Sequence, residues 1–367
     1  MRVTLEPLLP LDRLAAMWMA LEDRSDVRFF LSWPWIGCWL STIDCRPDLL
    51  IARRHGEIVG LGLIRVRPRT RHRVMPVQTL FLHQTGDQDQ DIITLEYNDF
   101  LLDRRYAREV RRACLHFLLA APVMEGRRVG ELLISGLDEA VVGEISSLGR
   151  PLHELANAGS AWVDLAAVRR SGQGYQDGLK ASTARRIRRS MTLYRRRGSV
   201  ELDMAGTVAE ALSYFEQAGA LHQERWAAKG QPGAFAYPFY VAFHRRLIET
   251  AFPLGQIELV RVTVAGQPIG FLYNFLYRNR VYYYFSGFRF EDDNRLKPGL
   301  VCHSLCIERH LAGGMDAYDF MAGEQRYKRE LGEPGPRIVC LVVQRPNWLL
   351  AAERPLRRLK QRLTDRR

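Results

Sequence analysis

Cysteine is scarce in this chain, and no motif pairs it. Cys38, Cys45, Cys114, Cys302, Cys306 and Cys340 form no C-x-x-C unit and have apolar neighbours, so buried free thiols are expected rather than disulfides or a metal centre. Cys302 and Cys306 share a helix face with only His303 between them as a further ligand, and no metal is expected. Long apolar runs are also missing. None reaches the roughly 18–20 residues of a membrane span, and the most apolar window, 29–43, is broken by Ser32, Pro34 and Gly37. The first 12 residues carry acids where a secretory signal would be basic and then apolar, so a cytoplasmic location is expected. There is no G-x-S-x-G nucleophile elbow, metal-ligand cluster or dinucleotide fingerprint. Covalent serine catalysis, metal hydrolysis and nicotinamide chemistry therefore have no support.

One further absence is local. Residues 180–197 contain eight basic residues and no acid. Residues 354–367 carry seven basic residues against Asp365. Charges of +8 and +6 in these stretches exceed the +12 of the whole chain, which leaves the remainder at −2. The body of the protein is therefore not a general nucleic-acid binder.

With 367 residues, 47% hydrophobic and 26% charged, the chain suits two globular domains. The first half reads as a helix at 11–21 and a tryptophan-rich stretch with Trp33, Trp35 and Trp39, suited to packing a helix on a sheet or to lining a cleft. Strands follow at 49–52 and 58–66, joined by a hairpin turn at His55-Gly56-Glu57, then a strand at 76–83, a helix at 103–120 and a strand at 131–135. The hairpin recurs. His55-Gly56-Glu57-Ile58-Val59-Gly60 has its counterpart in Ala265-Gly266-Gln267-Pro268-Ile269-Gly270, with both glycine pairs offset by 210 residues. A similar order of elements surrounds each copy, which implies duplication. The Gly/Ser/Pro-rich stretch 137–160 marks the boundary. The expected domains are 1–155, 156–347 and a basic tail at 348–367.

In the second half, 182–197 is an amphipathic helix with Ala184, Ile187, Met191 and Tyr194 on one face and Arg185, Arg188, Arg189 and Arg196 on the other. That arginine face is either solvated or meets an anion: the 3′-phosphate of a coenzyme, a sugar nucleotide or a tRNA. On the helix expected at 207–229, His222, Arg225 and Lys229 share a face beside Trp226. They are candidates for holding an anionic acceptor. A helix at 237–252 and a hairpin at 257–277 lead into the most informative stretch.

Residues 281–288 read as a buried aromatic strand and 289–297 as a polar loop. Pro298 and Gly299 open a helix that Gly313 and Gly314 stop. A short strand at 317–321 and a helix carrying Tyr327 and Lys328 complete it. Free N–H groups at Gly299, Leu300 and Val301, with Lys297 beside them, would make an anion site suited to a pyrophosphate. An ordinary connection with a solvated lysine is the alternative.

The residues Leu296-Lys297-Pro298-Gly299, Tyr318-Asp319-Phe320, Gly323 and Tyr327-Lys328, with Arg225-Trp226 and Lys229-Gly230 upstream, give this chain a resemblance to the GNAT acyltransferase superfamily, and more narrowly to the bacterial CelD-type acetyltransferase-like family. Arg295-Leu296-Lys297-Pro298-Gly299 stands where standard members carry Q/R-x-x-G-x-G/A. The resemblance implies an α/β (α+β) fold of tandem GNAT-like domains, each a mixed central sheet flanked by helices. It implies acetyl-CoA or another acyl-CoA as co-substrate, cradled by Lys297, Pro298, Gly299, Leu300 and Val301, with main-chain groups of Ser286 and Gly287 on the pantetheine arm. Tyr327 would be the acid, or else a core tyrosine. Glu324, Asp319 and His222, in that order, are candidates for the base, and Asp319 is alternatively a structural partner of Lys328. Arg225, Trp226, Lys229, Asp99 and Lys328 are candidates for the acceptor side, although Asp99 also suits a helix cap. Asp99 to Asp103 would repel a pyrophosphate and leave the first domain without a donor site. The acceptor would be a small molecule or a glycan precursor of the cell envelope. Related Fem-type aminoacyltransferases offer an alternative using aminoacyl-tRNA, and a silent scaffold associated with a polysaccharide synthase or an anionic membrane is a third reading.

Overall fold

The computed structural model describes residues 1–71, 75–120, 123–124 and 126–345. The expected basic tail at 348–367 lies outside the described residues. Contacts divide the chain into two compact units, and both are discontinuous in sequence.

The first unit comprises Met1–Val27, Ile43–Asn157 and the chain from Ile338. Its sheet runs in the order Arg2–Glu6, Asp48–Arg54, Glu57–Arg71, Met75–Leu82, Arg127–Asp138, Ile338–Gln344, Leu152–Ala158. All the described pairings are antiparallel except that of Met75–Leu82 with Arg127–Asp138. Helix Ala107–Ala120 makes the crossover between those two strands and buries Val110, Cys114, Leu115 and Leu118.

The second unit comprises Arg28–Thr42 and Ala158–Arg337. Its sheet order is Val200–Met204, Ile257–Val264, Gln267–Tyr277, Arg280–Phe288, Ala317–Ala322, Ser160–Asp164, Glu333–Pro334. Here too a single parallel pair, Arg280–Phe288 with Ala317–Ala322, is spanned by a crossover helix, Pro298–Ala312. Each unit is thus a mixed sheet flanked by helices, as two tandem GNAT-like domains require.

The repeated hairpin has a physical explanation. His55 and Gly56 have φ of 49° and 86°, and Ala265 and Gly266 have φ of 48° and 76°. Two successive left-handed residues make the tight turn that twist-matched strands need. The second glycine of each copy admits the crossover helix. A Cβ on Gly60 would come within 2.5 Å of Val110, and one on Gly270 within 2.9 Å of Cys302.

Three expectations need correction. The tryptophan helix Trp33–Thr42 belongs to the second unit, where Trp35 packs 4.9 Å from Phe243 and 5.7 Å from Phe275. Strand Ile338–Gln344 belongs to the first, pairing with Arg127–Asp138. A single cut near 155 therefore misplaces two segments whose apolar faces find partners remote in sequence. The stretch 137–160 is not a plain linker either: it contains helix Glu139–Ser146, capped by Asp138, and strand Leu152–Ala158.

Candidate active site

The site of the second unit exists because two parallel strands part. Arg280–Phe288 and Ala317–Ala322 pair only at 280–282 with 317–319, so residues 283–288 have an open edge. The register with the adjacent strand skips Tyr284, since Tyr273 aligns with Phe285 and Asn274 with Tyr283. That bulge bends the strand as the edge opens. On the other strand Met321 takes φ of 60° and Gly323 φ of 137°. That φ at 323 is one that residues with a Cβ rarely adopt, so glycine is favoured where the chain turns into helix Arg326–Leu331.

A run of hydroxyls occupies this region. The Tyr327 hydroxyl donates to that of Tyr283 at 3.5 Å, and Tyr283 is 2.7 Å from Ser286 Oγ. Burial drives the Tyr327 phenol well above its usual range, so it stays protonated. His303, fully buried on the crossover helix, lies parallel to the Tyr327 ring at 5.4 Å and edge-on to Tyr283 at 4.5 Å. Its Nδ1 meets the Tyr318 hydroxyl at 3.2 Å, and burial pushes its pKa down to about 3. Tyr283 and His303 were not singled out from the sequence. Tyr283 sits in a run of three tyrosines that alternation cannot separate across a bulge, and His303 reads as one more core residue.

The helix start has two bare amides, not three. Val301 N–H already donates to Lys297 O at 3.1 Å, and Pro298 has no N–H. Among the described residues, Gly299 and Leu300 N–H remain without a partner. Lys297 is held in place by its own N–H, which donates to Ser190 Oγ at 2.9 Å. Phe288 closes over the turn, so a Cβ on Gly299 would lie 3.1 Å from its ring. The preceding loop is tied by Arg197 to Glu291 at 2.6 Å and by Arg295 to Asp293 at 2.7 Å.

The main-chain expectation is also revised. Arg289 N–H donates to Ile269 O, and antiparallel ladders alternate. Gly287 therefore bonds inward to Phe271, while Ser286 and Phe288 turn their backbone groups toward the open edge. His222 reaches this edge, with Nδ1 3.4 Å from Ser286 O, and burial lowers its pKa.

Other expected site residues have structural partners. Asp319 is buried, accepts from Met321 N–H at 2.8 Å and lies 3.6 Å from Arg280. Lys328 is buried and donates to Ala322 O at 2.5 Å, so it secures the turn instead of facing an acceptor. Glu324 is exposed and accepts from Gly159 N–H at 2.9 Å. Arg225 lies 4.0 Å over Phe290 in the loop before the helix, and Lys229 lies 5.1 Å over Trp226. Asp99 belongs to the other unit, where it holds Arg111 at 2.8 Å. Helix Ala107–Ala120 starts after Asp103, so these acids are not its first turn.

No curated protein matches this chain. Residues 181–329 match the family model described as an acetyltransferase (GNAT) domain. The fold resembles that of FemX, at 10% identity over 94% of this chain and 96% of that one, with a TM-score of 0.58. It also resembles L-PGS from Bacillus licheniformis, at 12% identity over 96% and 97%, with a TM-score of 0.54. A tandem GNAT protein from the clavulanic acid biosynthesis pathway matches at 13% identity over 94% and 99%, with a TM-score of 0.50. The parted strands and the matched residues coincide: the chain carries a GNAT-superfamily acetyltransferase domain over residues 181–329, within a fold of two tandem GNAT-like units.

Proposed function

We propose that the second unit is a CoA-dependent acyltransferase of the CelD type, transferring an acetyl group to a sugar or amino acceptor of cell-envelope or polysaccharide synthesis. The observation that carries this reading is the three-pair contact between the parallel strands. Beyond it, backbone edge, hydroxyl run and helix start lie on neighbouring segments. Gly299 and Leu300 N–H with Lys297 would hold the pyrophosphate, and the outward groups of Ser286 and Phe288 would align the pantetheine arm. The acceptor amine or hydroxyl attacks the thioester carbonyl and gives up its proton, the C–S bond breaks, and the thiolate takes a proton from Tyr327. Tyr283 and Ser286 would reload Tyr327 along the hydroxyl run. Of the three candidate bases, His222 fits best. Its Nδ1–H faces Ser286 O, which leaves the Nε2 lone pair for the acceptor, and its lowered pKa keeps it neutral at pH 7.

Release of free CoA thiol with a panel of amino sugars and amines tests this reading. Turnover that Tyr327→Phe leaves unchanged would defeat the acid role. Turnover lost with His222→Gln, while coenzyme binding stays intact, supports the base.

One observation favours a second reading. On helix Ala181–Arg195, Arg185, Arg188 and Arg189 are exposed with no ion pair among the described residues. They face away from buried Ile187, Ser190 and Tyr194. Such a row suits a longer phosphate chain than one coenzyme, as in an aminoacyl-tRNA donor. Binding of tRNA that weakens steeply with salt, with no response to acetyl-CoA, would select that reading.

A further inference from the structure

Away from the parted strands, helix Pro298–Ala312 meets the sheet through a second cluster. Cys306 and His310, one turn apart, face Glu258 on strand Ile257–Val264. All three are buried, and their ligand atoms lie within 4.8 Å of one another. His310 Nε2 is 2.9 Å from Glu258 Oε2. From the next strand, Asn274 Nδ2 is 2.9 Å from the same oxygen and 3.5 Å from Cys306 Sγ.

Donors and acceptors do not balance here. Glu258 Oε1 and Asn274 Oδ1 are buried with no hydrogen-bond partner. Unmet acceptors in an apolar core are costly, and two in one cluster are acceptors that a cation would satisfy.

We propose that Glu258, Cys306 and His310 bind a buried Zn²⁺ ion, with Asn274 Oδ1 as fourth ligand after rotation of its amide. One carboxylate, one thiolate and one imidazole form the mixed donor set that zinc accepts in tetrahedral sites. Bonds of about 2.0–2.3 Å separate tetrahedral ligand atoms by less than the 4.8 Å limit of this cluster, so small side-chain shifts suffice. A carboxylate and a thiolate also cancel the dication, which leaves no net charge in the core. On binding, zinc displaces the Cys306 thiol proton to solvent, and His310 ligates through neutral Nε2. With four protein ligands the ion has no open position. It is a structural clasp that holds the crossover helix to strands Ile257–Val264 and Gln267–Tyr277.

The full chain, produced with added zinc and purified without chelators, should carry about one zinc per chain. Cys306→Ser and His310→Gln should carry roughly tenfold less or none. Should either variant fail to fold, wild-type protein refolded with Co²⁺ should show thiolate-to-cobalt absorption and tetrahedral visible bands. Metal-free wild-type protein that also refolds without a cobalt spectrum would overturn the site, leaving Glu258 and His310 as a plain hydrogen-bonded pair. Undiminished metal in Cys306→Ser would overturn it too. Neither readout depends on acyl transfer.

Discussion

The two units share a hairpin, a crossover helix and one parallel strand pair, yet they use the pair differently. In the second unit the pair closes over the first three residues of Arg280–Phe288 and then parts. In the first unit Met75–Leu82 stays paired with Arg127–Asp138 from Gln78 to Phe81, nearly to its end. Buried Glu131 reinforces that closure by accepting from Arg71 at 2.6 Å, Thr79 at 2.9 Å and Arg69 at 3.0 Å. The residues before the helices differ as well: Lys297 precedes Pro298-Gly299 in one unit, whereas Arg104 and Arg105 precede the helix in the other. The two units share the frame and differ in how far the parallel strands stay paired. If the proposed function holds, the point where the strands stop pairing separates the copy that binds coenzyme from the one that does not.

The largest expected effect is chemical. Tyr327→Phe should lower turnover by about 10²- to 10⁴-fold with little change in coenzyme affinity. The Gly287 contact comes next. A Cβ there would lie 2.3 Å from the Ala218 carbonyl oxygen, so Gly287→Ala should cost about 1–3 kcal/mol in chemical denaturation. Gly60→Ala meets side chains and no backbone, Val110 at 2.5 Å and Ala52 at 3.1 Å, and should cost less. Lys297→Ala should weaken coenzyme binding by roughly tenfold or less, as fits one half-buried cation at a helix start. Equal losses from Arg108→Ala would refute the contrast between the units.

A further effect appears only in acid. His303 and His83 are held neutral by burial, down to about 3 and about 4, whereas the unfolded chain protonates them near 6.5. The unfolded state therefore binds more protons across that window, and stability falls as pH drops from about 6.5 to these values. Each site contributes a slope of at most about 1.4 kcal/mol per pH unit. Urea midpoints should flatten by one such slope in His303→Phe, and an unchanged profile would remove His303 from the account.

Much of this was legible in the sequence because local rules were sufficient. The hairpin turns at 55–57 and 265–267 and the Pro-Gly helix start each follow from local backbone rules. What could not be read depends on partners distant in the chain. Nothing in Trp33 to Thr42 says that it packs on Phe243, nor anything in Ile338 to Gln344 that it joins the first sheet. The bulge at Tyr284 defeats the alternation that would have set Tyr283 apart. Val301 reads as a free amide, although the first helical bond uses it. Lys328 reads as an acceptor-side cation or a partner of Asp319 until Met321 and Gly323 turn the chain so that Ala322 O meets it.

Hydrogen–deuterium exchange of the full chain with and without acetyl-CoA tests the central claim most directly, because it reads both helix starts at once. The account predicts slowed exchange at 298–301 and along 283–288, with residues 107–110 unchanged. Protection at 107–110, or none at 298–301 with saturating coenzyme, would contradict it.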